Sequence, residues 1–148
     1  MKRFRFQLEP VLNYKLQNLD ALMVELNAAQ AQVVAQEAAR DAAYQRVADY
    51  AAEYAQRKAE GITVTEALEY ESCRQVLERR ARLENDKLLE LRRAAERKRE
   101  EVVTARQETH SLEKLKDIRR NEYDTAAAKA DEKALDDLTA ARRAAAAG

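Results

Sequence analysis

The sequence predicts an all-α protein, a long antiparallel two-helix coiled-coil hairpin with a longer second helix. Three observations carry this. The only interior glycine among the 148 residues is Gly61, and the single proline, Pro10, lies near the start, so Gly61 is the one strong breaker between two long stretches of good helix formers. Hydrophobic residues reach 46%, but aromatics are only 5% and charged residues 36%. Much of the apolar share is alanine, too little bulk for a thick core and enough for a narrow seam between two helices. Apolar residues also recur at the 3.5-residue period of a left-handed coiled coil.

One domain, residues 1–148, is expected. Its first seven residues are basic and aromatic, with Lys2, Arg3, Phe4, Arg5 and Phe6; Leu8-Glu9-Pro10 then opens a helix expected over about residues 8–59. A proline in a first turn sacrifices no helical hydrogen bond, because that N–H has no partner there. The ladder runs through Leu12, Leu19, Leu26, Val33, Arg40, Val47 and Tyr54. Leu16, Leu22, Met23, Ala29, Ala43, Tyr44, Tyr50 and Ala51 fill the same stripe, and Gln30, Glu37 and Arg40 interrupt it. Single polar residues in such a seam fix register at a cost in packing.

The turn is expected at about residues 60–64. Thr63-Val64-Thr65-Glu66 reads as a capping box that restarts a helix, expected over about residues 65–142. Its stripe contains Leu68, Leu77, Ala81, Leu88, Leu91, Ala95, Val102, Ala105 and Leu112, with Glu84, Lys98 and Thr109 as polar intrusions. The alanine-rich tail from Ala140 is expected to fray. Folding back at Gly61 sets the start of the first helix, near Leu8, beside about Leu115 if both helices rise roughly 1.5 Å per residue. The last part of the second helix then has no partner in its own chain. Leu112, Leu115, Ile118, Tyr123, Leu135 and Leu138 are its apolar groups, a stripe of the kind that docks another protein or a second copy.

Several chemistries are disfavoured. Lys plus Arg equals Asp plus Glu at 27 each, so no global charge favours nucleic acid. The cluster of Arg92, Arg93, Arg97, Lys98 and Arg99 is offset by Glu96, Glu100 and Glu101. No apolar run is long enough for a transmembrane helix, no secretory leader pattern opens the chain, and cytoplasmic residence is the expectation. Cys73 and His110 are single residues of their types, expected to be a buried or half-buried helix residue and an ordinary helix residue. Glycine loops for phosphate, GxSxG, HExxH and CxxC patterns are missing from the sequence. A non-enzymatic protein without metal or cofactor is the expectation.

Both chain ends point to one family. The opening Phe4-Arg5-Phe6-Gln7-Leu8-Glu9-Pro10-Val11-Leu12 resembles the start of the flagellar export protein FliJ. The run from Leu112 to Tyr123, continued from Ala130 to Leu138, is similar to that family's C-terminal block. The resemblance implies a cytoplasmic component of the flagellar type III export apparatus, at the inner face of the cell membrane. It further implies a stalk-like coiled coil that binds the export ATPase hexamer, promotes its assembly or activity, and links it to the membrane-embedded export gate; export chaperones are further candidate partners. Carried onto this chain, the ATPase-binding residues are Phe4, Phe6, Leu8, Leu112, Leu115, Arg119, Tyr123, Leu135, Asp136 and Leu138. Val47, Tyr50 and Tyr54 are candidates for the gate contact, although Val47 and Tyr54 also belong to the seam ladder. Two alternatives stand beside this reading, a generic coiled-coil adaptor that dimerises through its terminal end and the equivalent stalk of a virulence secretion system.

Overall fold

A computed structural model describes residues 2–148. It contains two helices, α1 at Glu9–Glu60 and α2 at Val64–Ala147, and the second is the longer. The first turn of α1 is set by backbone bonds from the Glu9 N–H to the Phe6 carbonyl (3.1 Å) and from the Leu12 N–H to the Leu8 carbonyl (2.9 Å). At its other end Gly61 takes φ +97°, a region that costs a side-chain-bearing residue free energy and a glycine almost none. The Gly61 N–H returns to the Lys58 carbonyl at 3.2 Å. Thr63 then caps α2, its hydroxyl accepting from the Glu66 N–H at 3.2 Å, and so satisfies one of the donors that every helix start leaves open. The far end of α2 continues past the expected stop near residue 142, as a run of alanine, the best helix former, allows.

Packing divides the chain into two units, Ala21–Val103 and residues 2–20 with Thr104–Gly148. In the first, α1 turns Leu26, Val33, Val47 and Tyr54 inward, and α2 turns Leu77, Ala81, Leu88, Leu91, Ala95 and Val102. Intervals of three and four residues alternate along both helices, which keeps one stripe facing its partner. Ala81 and Leu88 are fully buried. The polar intrusions are interlocked. Gln36 Nε2 donates to the Glu84 carbonyl oxygen at 2.9 Å and to its carboxylate at 2.5 Å, and this bond holds the Glu84 carboxyl below its ordinary range. Lys98 meets Glu25 at 2.8 Å, and Arg92 meets Glu37 at 3.2 Å. Next to the turn, the Tyr54 ring stacks on Tyr70 at 5.0 Å and Tyr50 lies tilted against Tyr70 at 5.5 Å. Burial, then a hydrogen bond with Cys73, pushes the Tyr50 hydroxyl up to about 12.

Four expectations are corrected here. Leu68 is 65% exposed, because the seam of α2 passes through Tyr70, Arg74 and Leu77, and a residue two places before Tyr70 faces the opposite side of a 3.6-residue helix. Gln30 faces solvent and Gln36 takes the polar seam position instead. Tyr44 and Ala51 lie outside the stripe, flanking it one residue beyond Ala43 and Tyr50. Cys73 is exposed, since Tyr70 and Arg74 on either side of it fill the inward positions.

In the second unit, Phe6, Leu12 and Ala105 are buried, with Thr109 beside them. The Thr109 hydroxyl is satisfied by the Ala105 carbonyl one turn back, 2.8 Å away, so a polar side chain sits in this seam without an orphaned group. Lys15–Glu108 at 2.7 Å and Lys116–Glu9 at 2.9 Å bridge α1 to α2 at its edges. The Lys15 ammonium is held above its ordinary range by that hydrogen bond and by the Glu108 charge.

Candidate partner-binding surface

The residues before α1 decide what the second unit presents. Residues 2–8 are not helical; they lie along α2 as a strap. Phe6 anchors it at 8% exposure. The Phe4 ring tilts against Tyr123 with centroids 5.6 Å apart, and the Arg120 guanidinium lies 5.1 Å over its face, a cation against the negative face of a π system. The Tyr123 hydroxyl donates to the Lys2 backbone carbonyl. These contacts spend aromatic groups that the sequence leaves looking uncommitted.

The expected site residues therefore divide. Phe4, Phe6, Leu8, Leu115, Arg119 and Tyr123 line one groove beside the strap. Leu112 is half-buried a turn before Leu115. Leu135, Asp136 and Leu138 do not join this groove: they lie farther along α2, all exposed, with Leu135 at 64% and Leu138 at 51%. The expectation that Leu112, Leu115 and Tyr123 are left uncovered is corrected, since all three are half-buried. The strap runs on past the first turn of α1 and covers part of α2 that a hairpin of helices alone would leave bare. Beyond Tyr123, only Ala127 is even partly covered among the described residues, so the uncovered stretch begins about there. Ile118, 47% exposed, adds a nearer apolar group on the open side.

Val47, Tyr50 and Tyr54 sit in the Ala21–Val103 unit, each half-buried, with both tyrosine rings against Tyr70. Sequence reading missed Tyr70 as their partner, although it and Tyr54 stand equally far from the turn. It also missed the groove's cationic lining by Lys2, Arg3 and Arg5; the signal was the Lys-Arg-Phe-Arg-Phe opening, whose folding back onto α2 periodicity cannot announce.

Among the described residues no cluster of three His, Cys, Asp or Glu could hold a metal ion, and no helix is long and apolar enough to cross a membrane. Two long helices paired through a seam, with an apolar and cationic surface at the strap and exposed leucines farther along α2, define a two-helix coiled-coil protein. The family described as Flagellar FliJ protein matches residues 4–148. The chain belongs to that family and is a component of the flagellar export apparatus. No curated protein and no solved structure matches it.

Proposed function

We propose that this protein is a non-enzymatic stalk of the flagellar export ATPase ring, seated through α2 beyond Tyr123 and the strap groove beside it. The observation that carries the reading is the pair Leu135 and Leu138, both more than half exposed on a helix that no other described residue of the chain covers there. Uncovered apolar side chains on a regular helix suit a groove in a partner, and family membership supplies the apparatus in which to look for it. Leu8 and Ile118 extend the contact, with Arg119 and Asp136 as polar rim. Phe4, Phe6, Leu112 and Tyr123 hold the strap and helices in position beneath it, and Leu115 lines the groove.

Such a stalk needs no chemistry of its own. A helix that touches several subunits favours the assembled ring, and contacts that differ between nucleotide states shift the hydrolysis cycle by their differential affinity. The link to the export gate falls to the Ala21–Val103 unit through the accessible edges of Val47, Tyr50 and Tyr54, which places the working protein in the cytoplasm at the inner membrane face.

The test is co-purification with the flagellar export ATPase, together with its hydrolysis rate. Leu135→Glu/Leu138→Glu is expected to keep the helix content and to weaken binding and stimulation by about tenfold or more, as loss of central apolar anchors does. Undiminished binding by this folded variant would overturn the proposal. Loss of a dimer by the same variant, seen by sedimentation of the protein alone, would instead favour a self-associating adaptor.

A further inference from the structure

The groove beside the strap carries a charge asymmetry that the composition conceals. In a chain with 27 basic and 27 acidic residues, its lining includes Lys2, Arg3, Arg5 and Arg119 and no carboxylate. Among the described residues, Lys2, Arg3 and Arg5 enter no ion pair, whereas Arg119 has a surface partner in Glu122 at 3.2 Å. All four cations are exposed, so their charges stay hydrated when nothing is bound. Apolar groups lie between them, with Phe6, Leu8 and Leu115 in the same lining. Some basic residues of α2 are answered locally, Arg93 by Glu90 and Arg99 by Glu96, and others such as Arg79 and Arg97 enter no ion pair among the described residues; what marks the groove is that its cations stand together around apolar groups. The strap gathers Lys2, Arg3 and Arg5 along this groove, and the nearest acid on its other side, Glu9, is already paired with Lys116.

We propose that this groove binds an acidic amphipathic peptide segment of a partner protein, its carboxylates paired with Lys2, Arg3 and Arg5 and its apolar side chains against Leu8 and Leu115. Arginine favours such a ligand, because its planar fork matches a carboxylate with two parallel hydrogen bonds. Complementary charge sets the encounter rate and the register, while the apolar contact supplies the area. An extended anionic surface fits less well. Glu122 and Asp124, which sit within 3.2 Å of Arg119 and 3.8 Å of Arg120, would meet a membrane or a nucleic-acid backbone as like charges; one segment confined to the groove avoids them. The inference deepens the ring-binding reading, in which this same groove is part of the contact, and a peptide titration reads the groove alone, so that its failure is distinguishable from failure to bind the ATPase through Leu135 and Leu138.

The full chain is titrated with a short fluorescein-labelled peptide of alternating Glu and Leu pairs, followed by anisotropy. Its Gln-for-Glu counterpart, phosphatidylglycerol vesicles and a single-stranded oligonucleotide are run alongside. The acidic peptide is expected to bind at least about tenfold tighter than the Gln peptide and to weaken as salt rises. Arg3→Glu/Arg5→Glu is expected to lose about tenfold or more in affinity, while Arg142→Glu/Arg143→Glu, with the same change in net charge, keeps it. Circular dichroism monitors the fold, and Arg3→Gln/Arg5→Gln, expected to show a smaller loss in the same direction, replaces the reversal should that variant unfold. Equal binding of the two peptides, an equal loss in both charge-reversed variants, or tighter binding of the vesicles or oligonucleotide than of the acidic peptide overturns the proposal.

Discussion

Leu88 and Leu83 are the same residue on the same helix, one at 0% and the other at 60% exposure, so they separate packing from propensity. Leu88→Ala keeps a strong helix former and removes buried atoms from the seam; it is expected to cost about 3 kcal/mol in urea denaturation. Leu83→Ala is expected to cost under about 0.5 kcal/mol, and similar losses at the two sites would mean that the seam is not where the buried surface lies. Tyr50 offers a spectroscopic check on the cluster near the turn. With its hydroxyl pushed up to about 12 by burial and then by Cys73, one of the six tyrosines should ionise near that value in an alkaline absorbance titration. That step should vanish in Tyr50→Phe. Its persistence there would assign the shift to another ring.

At the scale of elements, each helix is fixed at its ends by local chemistry and along its length by a partner. Gly61 and Thr63 stop and restart the chain through φ +97° and a hydroxyl cap. Their roles were legible because a lone glycine and a Thr-x-x-Glu pattern have one physical meaning each in such a sequence. The phase of α2 was legible from Leu77 to Leu112 and not at Leu68, where Ala67 and Tyr70 hold the covered positions and a single leucine cannot set the phase. The Gln36–Glu84 lock makes the pairing of the helices sensitive to acid. The Glu84 carboxyl sits below its ordinary 4.5, chiefly through the bond from Gln36. Its contribution is therefore complete above 4.5 and disappears as pH falls through the lower folded value. In Gln36→Leu, which removes the donor, the urea midpoint should fall less between about pH 5 and about pH 3 than in the parent. An unchanged pH dependence would mean that Glu84 is not held by this bond.

At the scale of the whole molecule, zero net charge and 36% charged residues describe a surface laced with ion pairs, most of them exposed and of small individual value. Stability then comes from the seam, and the proposed function from what the seam leaves open. A chain ending after Asp124 loses almost no long-range packing, because the residues beyond it are exposed apart from Ala127. Its urea midpoint is expected to correspond to within about 0.5 kcal/mol of the full chain, while binding to the export ATPase is lost. A large loss of stability in that truncation would show that the end of α2 serves the protein's own fold instead of a partner.

The sequence alone determined the two helices, the reversal at Gly61, the pairing of Leu8 with Leu115 and the membership that both chain ends suggest, because periodicity, breakers and caps act over a few residues and read directly from the chain. Only the tertiary structure decided which apolar and charged groups stay free. A strap with no period folded back on α2, buried Phe6, engaged Phe4 with Tyr123 and gathered Lys2, Arg3 and Arg5 beside Leu115. Such contacts join residues more than a hundred positions apart. They depend on the path of a strap without periodicity, which no local pattern encodes.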